Sequence, residues 1–393
     1  MKPLTGITVL DFSQFLSAPS ATLRLADLGA DVIKVERPQG GDICRSLYIS
    51  DCVIDGDSSL FHAINRNKRS VAIDLKDPAS RPDVERLIRE ADVVVANYRP
   101  GVAARLGIDY ESVKAINSGV VYGEITGYGV EGPWIGKPGQ DLLAQALSGI
   151  CWLNGNADQP PTPMGLSVAD LFAGQLLVQG VMAGLLRAKR TGEGAHVHVS
   201  LLEALLDMQF EVFTTYLNDG RRAPQRSAVN NANAYISAPY GIYATKDGYL
   251  ALAMIAIPTL GELIGCDALL AYDDPDGWHE RRDEIKRVIA DHLAGDTTAH
   301  WLSLLDPADV WCADVYDWDR LMDTEAFRAL DMLQHVERAD GTVVATTRCP
   351  IRIDGERYRG GPAAPTIGQH NAQILGAEAA PQSAAAPQTE AAR

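Results

Sequence analysis

What this sequence lacks narrows its function before any motif is read. Basic residues are in deficit, since 35 Lys and Arg stand against 51 Asp and Glu for a formal net charge of -16. A general nucleic-acid surface depends on excess cations and is therefore excluded, so any anionic ligand must be met by a local cluster. Cysteine is sparse, at six residues (Cys44, Cys52, Cys151, Cys266, Cys312, Cys349), without C-x-x-C spacing or an adjacent histidine cluster. Neither a zinc site nor a disulfide framework is expected from that pattern. No uninterrupted apolar stretch approaches the roughly 20 residues of a membrane span. Residues 1–10 carry no basic start leading into an apolar run, as a secretion signal would. The expectation is a cytoplasmic protein with neither membrane nor nucleic-acid partners.

Glycine is missing from one informative place. Residues 7–12 form a β-rich apolar run, a helical pattern follows through Leu23, Leu25 and Leu28, and a second strand is expected at 32–35, which together make a βαβ unit. A dinucleotide site needs glycines in the first turn so that a pyrophosphate can approach the backbone. That turn reads Phe-Ser-Gln-Phe-Leu-Ser-Ala-Pro over residues 12–19. Glu36 at the end of the second strand could hold a ribose, yet without the glycines the sequence argues against nicotinamide or flavin binding.

What is present fits a two-body α/β protein. At 393 residues the chain exceeds what one hydrophobic core usually serves. Further buried strands are expected at 93–96 and 120–125, with the amphipathic segment 82–91 as a crossover helix, giving a parallel, Rossmann-like sheet. Residues 141–188 read as helices broken by a Gly/Pro-rich loop at 154–165, with another helix at 201–217. A hairpin at 241–254 turning at 246–248, then helical periodicity over 278–305, suggests a smaller α+β body. The expected division is 1–217 for the large body, 218–233 as a linker, 234–330 for the small body, 331–376 returning to the large one, and 377–393 as a disordered tail rich in Ala, Pro and Gln.

Basic residues gather at Arg37, at Arg66, Lys68 and Arg69, and at Arg99 with Arg105. Such islands suit a phosphorylated nucleotide such as the ADP half of coenzyme A, or they are solvated charges paired with Asp74, Asp77 or Glu85. Asp170 stands between small and apolar residues near the start of a helix expected over 171–186. A helix N-terminus favours its ionisation while apolar neighbours strip its water and sharpen it as a nucleophile, although a plain capping residue would look the same. Asp141 could support Asp170 by hydrogen bonding or be a cap itself. His196 and His198 alternate in a strand at 195–199 and are given no catalytic role. Asn231, Asn233, Tyr235, Tyr240 and Tyr243 could line an acceptor pocket or form plain hairpin surface.

Several segments, taken in order, resemble the class III CoA-transferase (CaiB/BaiF) family, which includes formyl-CoA transferase and α-methylacyl-CoA racemase. They are Leu-Thr-Gly-Ile-Thr-Val-Leu-Asp-Phe at 4–12, Leu-Gly-Ala-Asp-Val-Ile-Lys-Val-Glu-Arg-Pro at 28–38, and Asn-Arg-Asn-Lys-Arg-Ser at 65–70 with Asp-Leu-Lys at 74–76. Asn-Tyr-Arg-Pro-Gly at 97–101, Arg-Leu-Gly at 105–107, Ala-Asp-Leu-Phe-Ala-Gly at 169–174 and Val-Ser-Leu-Leu-Glu-Ala at 199–204 complete the set. The resemblance implies an enzyme moving CoA from an acyl-CoA, such as succinyl-CoA, to a small carboxylic acid, with Asp170 as covalent nucleophile beside Asp141 and Gln140. It implies CoA contacts among Gln14, Leu16, Ala18, Arg37, Leu75, Lys76, Asn97, Arg99, Arg105 and Lys137. Coenzyme A enters as substrate, no tightly bound cofactor is expected, and the family's interlocked homodimer comes with the fold. A racemase-like isomerase or a non-catalytic CoA-binding protein are the alternatives. Gln140 stands where the racemase branch has a proton-shuttling His, and an amide cannot exchange protons at neutral pH. The first loop has Leu16 where the transferases have Gln, with Gln14 two residues earlier, and residues 251–258 lack the glycine-rich lid of formyl-CoA transferase.

Overall fold

The computed structural model describes residues 1–47 and 51–376, and the tail expected at 377–393 lies outside the described residues. Two compact units emerge. The first comprises Met1–Ala144, Ser167–Leu205 and the described residues from 331 onward, and the second comprises Gln145–Leu166 and Leu206–Leu330. Residues 145–166 and 206–217, grouped with the large body in the sequence reading, fall in the second unit. The divisions at 144/145 and 205/206 lie inside the helices Asp141–Ser148 and Leu201–Met208, where no turn residue marks a boundary.

The first unit is built on six parallel strands, β1 (Thr8–Asp11), β2 (Asp31–Glu36), β3 (Arg69–Ala72), β4 (Val93–Ala96), β5 (Val121–Thr126) and β6 (Ala195–Ser200). Their spatial order is β3-β2-β1-β4-β5-β6, and Val9 of β1 lies opposite both Val32 and Val93. β4 reads Val-Val-Val-Ala and is buried throughout, as a strand covered on both faces must be. The order reverses direction between β1 and β4, and in open parallel sheets the crevice beyond such a switch point is where ligands bind.

Helices cover both faces. Helix α1 (Ser17–Asp27) follows β1, and α2 (Arg81–Glu90) connects β3 to β4. Proline in the first turn and Asp83 suit the start of α2, and Arg89 suits its end. It packs Val84, Leu87 and Ile88 against Leu10, Ile33, Val94 and Tyr122, each buried side chain contributing about 2 kcal/mol. Helix α3 (Asp141–Ser148) is short, whereas α4 (Val168–Thr191) runs 24 residues, longer than the expected 171–186. By length and composition α4 could cross a membrane, but here its buried stripe, including Leu177 and Val181, packs within the first unit. A Cβ on Gly123 of β5 would meet Leu177 at 3.0 Å, while the adjacent Tyr122 faces α2, so α4 covers the opposite face. Gly180 permits that approach, since a Cβ there would lie 2.4 Å from Val197 Cγ1.

The outer edge of β3 is sealed by the returning chain. His370 N donates to Ser70 O (3.0 Å), Gly368 N to Ser70 Oγ (3.0 Å), and Ala72 N to Asn371 Oδ1 (2.8 Å).

The second unit carries an antiparallel sheet of β7 (Gly241–Ala244), β8 (Tyr249–Leu252) and β9 (Cys312–Asp314), with β8 central. Tyr243, Leu250 and Leu252 face a core completed by Ile285, Ile289 and Leu293. The helical span expected at 278–305 is three helices, Gly277–Glu280, Arg282–Leu293 and Thr298–Leu305, the last begun by Thr297, whose hydroxyl accepts from His300 N. The span expected at 201–217 likewise splits at Gln209 into Leu201–Met208 and Phe210–Asn218. Residues 218–233 are more than a linker. Arg226 donates to Asn154 O and Gln159 O (both 2.6 Å), and Lys286 Nζ to Ser227 Oγ (3.0 Å), so buried and half-buried side chains fasten this segment.

Candidate active site

Two loops meet at the switch point. After β1 the chain runs through Ser13, Gln14, Phe15 and Leu16 into α1, and after β4 it reaches Asn97. Asn97 joins them at both ends of its amide, accepting from Gln14 N at Oδ1 (2.8 Å) and donating from Nδ2 to Gln14 O (2.7 Å). Its amide is thereby committed to the protein, and the sequence did not anticipate that task for a proposed CoA contact. Phe15, half exposed, adopts a left-handed backbone with φ of 62°. Leu16 is half-buried at the entry to α1, and Ala18 is fully buried inside α1, backbone and side chain alike. That corrects any reading of Ala18 as a side-chain contact.

Asp170 is the third residue of α4, and Ser167, at the capping position, makes no side-chain cap. Asp141 takes that place from 29 residues away. Its Oδ1 accepts from Ala169 N (2.7 Å) and Asp170 N (3.2 Å), satisfying two of the orphan donors of the first turn. Asp141 is buried and Asp170 only partly so. Loss of water around Asp170, with the Asp141 carboxylate beside it, pushes its pKa from 3.8 up to about 7. Desolvation and like charge thus outweigh the helix dipole, which alone would favour ionisation. One turn further along the same helix face, a Cβ on Gly174 would lie 2.4 Å from Ser20 Oγ and 2.7 Å from Ser17 O, so the start of α1 packs directly on this part of α4. Gln140 is exposed, and its Oε1 accepts from Leu142 N (2.9 Å), capping α3.

The basic residues separate into two groups. Arg37, Lys76, Arg99, Arg105 and Lys137 are exposed. Arg37 donates to Gly41 O through Nε and Nη2 (3.3 and 3.2 Å), and Lys137 Nζ sits 5.0 Å over the Trp134 ring. Leu75 and Lys76 line a cavity of about 340 Å³ with Ser80, Arg81, Val84 and Leu106. Arg81, which the sequence reading passed over, donates to Gly107 O (3.1 Å) and so steadies the end of the helix Val102–Leu106 that carries Arg105. Its place at a helix start five residues after Lys76 was the available signal.

Arg66 and Lys68, in contrast, are interior. Lys68 Nζ meets Asp11 (3.1 Å), Pro19 O (3.0 Å), Thr22 Oγ1 (2.8 Å) and Asn65 Oδ1 (2.9 Å), while Arg66 pairs with Asp27. Neither can reach a phosphate, which corrects the island proposed at 66–69. Arg69 is occupied by Asp31. A second buried set, Glu36 with Arg45 (2.7 Å) and Lys34 with Asp42 (2.8 Å), was also missed from sequence.

His196 is held by Glu124 (2.9 Å) and stacks on Tyr110, and His198 meets Thr126 (3.0 Å), so both serve the sheet. In the second unit, Tyr243 is fully buried with its hydroxyl donating to Pro239 O, and it belongs to the core instead of a pocket wall. Tyr240 does line a cavity of about 440 Å³, together with Ile242, Ala251, Trp311 and Cys312. Asn231 donates to Leu153 O (3.3 Å) and accepts from Ser227 N (3.0 Å), a structural brace for this segment. Asn233 Oδ1 accepts from Tyr235 N (2.8 Å), a local turn.

A family model described as CoA-transferase family III matches residues 4–371. A succinate–glutarate CoA-transferase from Agrobacterium fabrum is 33% identical over 386 residues, covering 95% of this chain and 95% of the relative. A succinyl-CoA:mesaconate CoA-transferase from Haloarcula hispanica is 32% identical, covering 95% of this chain and 96% of the relative. Among solved structures, a CAIB/BAIF family protein from Brucella suis superposes with a TM-score of 0.81 at 30% identity, covering 96% of this chain and 99% of that one.

Proposed function

The chain belongs to CoA-transferase family III, and from that premise we propose that Asp170 takes the acyl group covalently while CoA passes between two carboxylic acids. The observation that carries this reading is the raised pKa of Asp170 beside the buried, hydrogen-bonded Asp141. A carboxylate that is poorly hydrated and more basic than usual is a better nucleophile.

The steps balance without an outside reagent. A carboxylate oxygen of Asp170 attacks the thioester carbonyl, the C–S bond breaks, and CoA leaves as thiolate from a mixed anhydride. The thiolate then attacks the Asp170 carbonyl carbon of that anhydride, releasing the donor acid and leaving an aspartyl-CoA thioester. The acceptor carboxylate attacks this thioester to form a second anhydride, whose acyl carbon the thiolate finally attacks, freeing Asp170 and the new acyl-CoA. Exchange of one thioester for another is close to thermoneutral, so the protein supplies position, dryness and charge stabilisation.

CoA would lie along the crevice at the switch point, with Gln14 and Leu16 on one side and Asn97 and Arg99 on the other. Arg37, Arg105 and Lys137 supply cations, and Leu75 with Lys76 supplies the cavity wall. The names of the relatives support succinyl-CoA as donor and a short dicarboxylic acid as acceptor. Gln140, occupied in capping α3, offers no support for α-carbon proton exchange. Exposed apolar side chains at Leu142, Leu143, Leu171, Leu186 and Phe210 support a homodimer, and six free cysteines suit the reducing cytoplasm.

Incubation with succinyl-CoA followed by borohydride or hydroxylamine trapping should modify Asp170, read by peptide mass spectrometry. Asp170→Ala should abolish transfer while still binding CoA, and substantial transfer by that variant refutes the nucleophile. Screening acids against succinyl-CoA and acetyl-CoA identifies the pair.

A further inference from the structure

Three consecutive residues before α1 are held by side chains from the end of β1, from β2, from the segment that follows β2 and from the residue after β4. Ser13 donates from its backbone N (3.0 Å) and its hydroxyl to Asp11 Oδ1, and its carbonyl accepts from Lys34 Nζ (2.9 Å). Gln14 is held at both backbone polar atoms by Asn97. Phe15 N donates to Asp42 Oδ1 (3.2 Å), an oxygen that also accepts from Cys44 N (2.9 Å). Leu16 O accepts from Ser20 N (2.9 Å), the first turn of α1. Lys34 is fully buried and Asp42 nearly so, and their charged atoms meet at 2.8 Å. Burial works against the charge on Lys34, but Asp42, Asp11 and Glu36 together overcome it and hold the amine charged.

Two costs need a reason. Burying a charged pair is expensive, and a phenylalanine in the left-handed region is strained. Residues kept in such conformations persist only where the surroundings over-determine them, and they gather at functional sites. Phe15 is half exposed, so no core packing demands its backbone conformation. The segment it shapes leads into Ser17 and Ser20, which touch α4 at Gly174, one turn from Asp170.

We propose that Asp42, held by Lys34, is a positioning residue of the transfer reaction, fixing the left-handed backbone of Phe15 so that the loop 13–16 is set beside the thioester before substrate arrives. The inference rests on the reading of Asp170 given above. The buried pair is conformational machinery for a loop whose own residues are too few to hold that shape. Without Asp42, Phe15 relaxes to an ordinary backbone, the path from β1 into α1 shifts, and the reacting groups lose alignment more than the substrate loses affinity.

The test is a double-mutant cycle in steady-state transfer, using the acyl-CoA that transfers best, on Asp42→Ala, Phe15→Gly and both together, with thermal melts alongside. Asp42→Ala should lower kcat about tenfold with KM for acyl-CoA within about threefold. When Phe15→Gly is already present the loss should shrink to about threefold or less, because glycine holds a left-handed backbone unaided. Equal kcat losses in the two backgrounds, or an effect confined to the melting temperature, overturns the proposal. If Asp42→Ala fails to fold, Asp42→Val, close to Asp in size and without an oxygen for Phe15 N, is read in the same cycle by the same criteria. Asp170→Ala in the same assay separates the two claims, since transfer by that variant removes the nucleophile and leaves the coupling between Asp42 and Phe15 standing or falling by itself.

Discussion

Asp170→Asn should make the protein more stable in mild alkali while destroying its activity. In the unfolded chain the carboxyl titrates near 3.8, whereas in the fold its pKa is about 7. The folded state therefore holds the proton more tightly, and stability falls as pH rises from about 4 to about 7, then levels off. Above that window the ionised carboxylate costs the fold up to about 4 kcal/mol, at roughly 1.4 kcal/mol for each unit of displacement. The amide of Asn is nearly the same size and carries no charge, so the variant escapes this cost. Its melting temperature should exceed that of the wild type by on the order of 5 °C near pH 8, with the gap closing as pH is lowered to about 4. Differential scanning calorimetry across that range measures it, with transfer activity followed in parallel. A gap that stays constant with pH, or a variant that melts lower throughout, would refute the claim that Asp170 is a strained charge.

Four further outcomes are expected. The pH–rate profile should rise through an acid limb near the Asp170 pKa of about 7, and Asp141→Asn should move that limb to lower pH by about one unit, because the neighbouring negative charge is gone; an unmoved limb removes Asp141 as the cause. Gly174→Ala should lower stability by about 1–3 kcal/mol in chemical denaturation, since the added methyl collides with Ser20 Oγ and Ser17 O; a neutral result would mean that α1 and α4 do not approach as closely. Lys76→Ala should raise KM for acyl-CoA about tenfold with little change in kcat, a loss of about 1.4 kcal/mol in binding. Arg66→Met should instead cost about 3–5 kcal/mol of stability by stranding Asp27, and a matching rise in KM for that variant would contradict its interior role.

The sheet was legible because its strands are covered on both faces and must be apolar throughout. β4 was read to the residue, and β2 and β5 within a residue or two. Charge was harder to read. Arg66 and Lys68 look like any basic surface run, since what buries them is Asp27 and Asp11, 39 and 57 residues earlier in the chain. Local sequence shows a charge but not its distant partner. Asp170 showed the same limit in another form, because its helix start and apolar neighbours were visible, while the carboxylate that adds to burial in raising its pKa arrives from 29 residues away. Helix length was misjudged where small residues hid the pattern. In α4 the glycines weaken the apolar stripe as a signal yet are the residues that let the helix lie against Val197 and Val121.

The seal on β3 has a consequence for how this molecule is made. Ser70 and His370 are 300 residues apart, and at about 5–20 residues per second a ribosome needs roughly 15–60 seconds to bridge that interval. Throughout that time a nascent β3 presents bare amides that a neighbouring polypeptide could pair with. Its brevity, four residues beginning with Arg69, is the protection such an edge requires until its own last segment emerges.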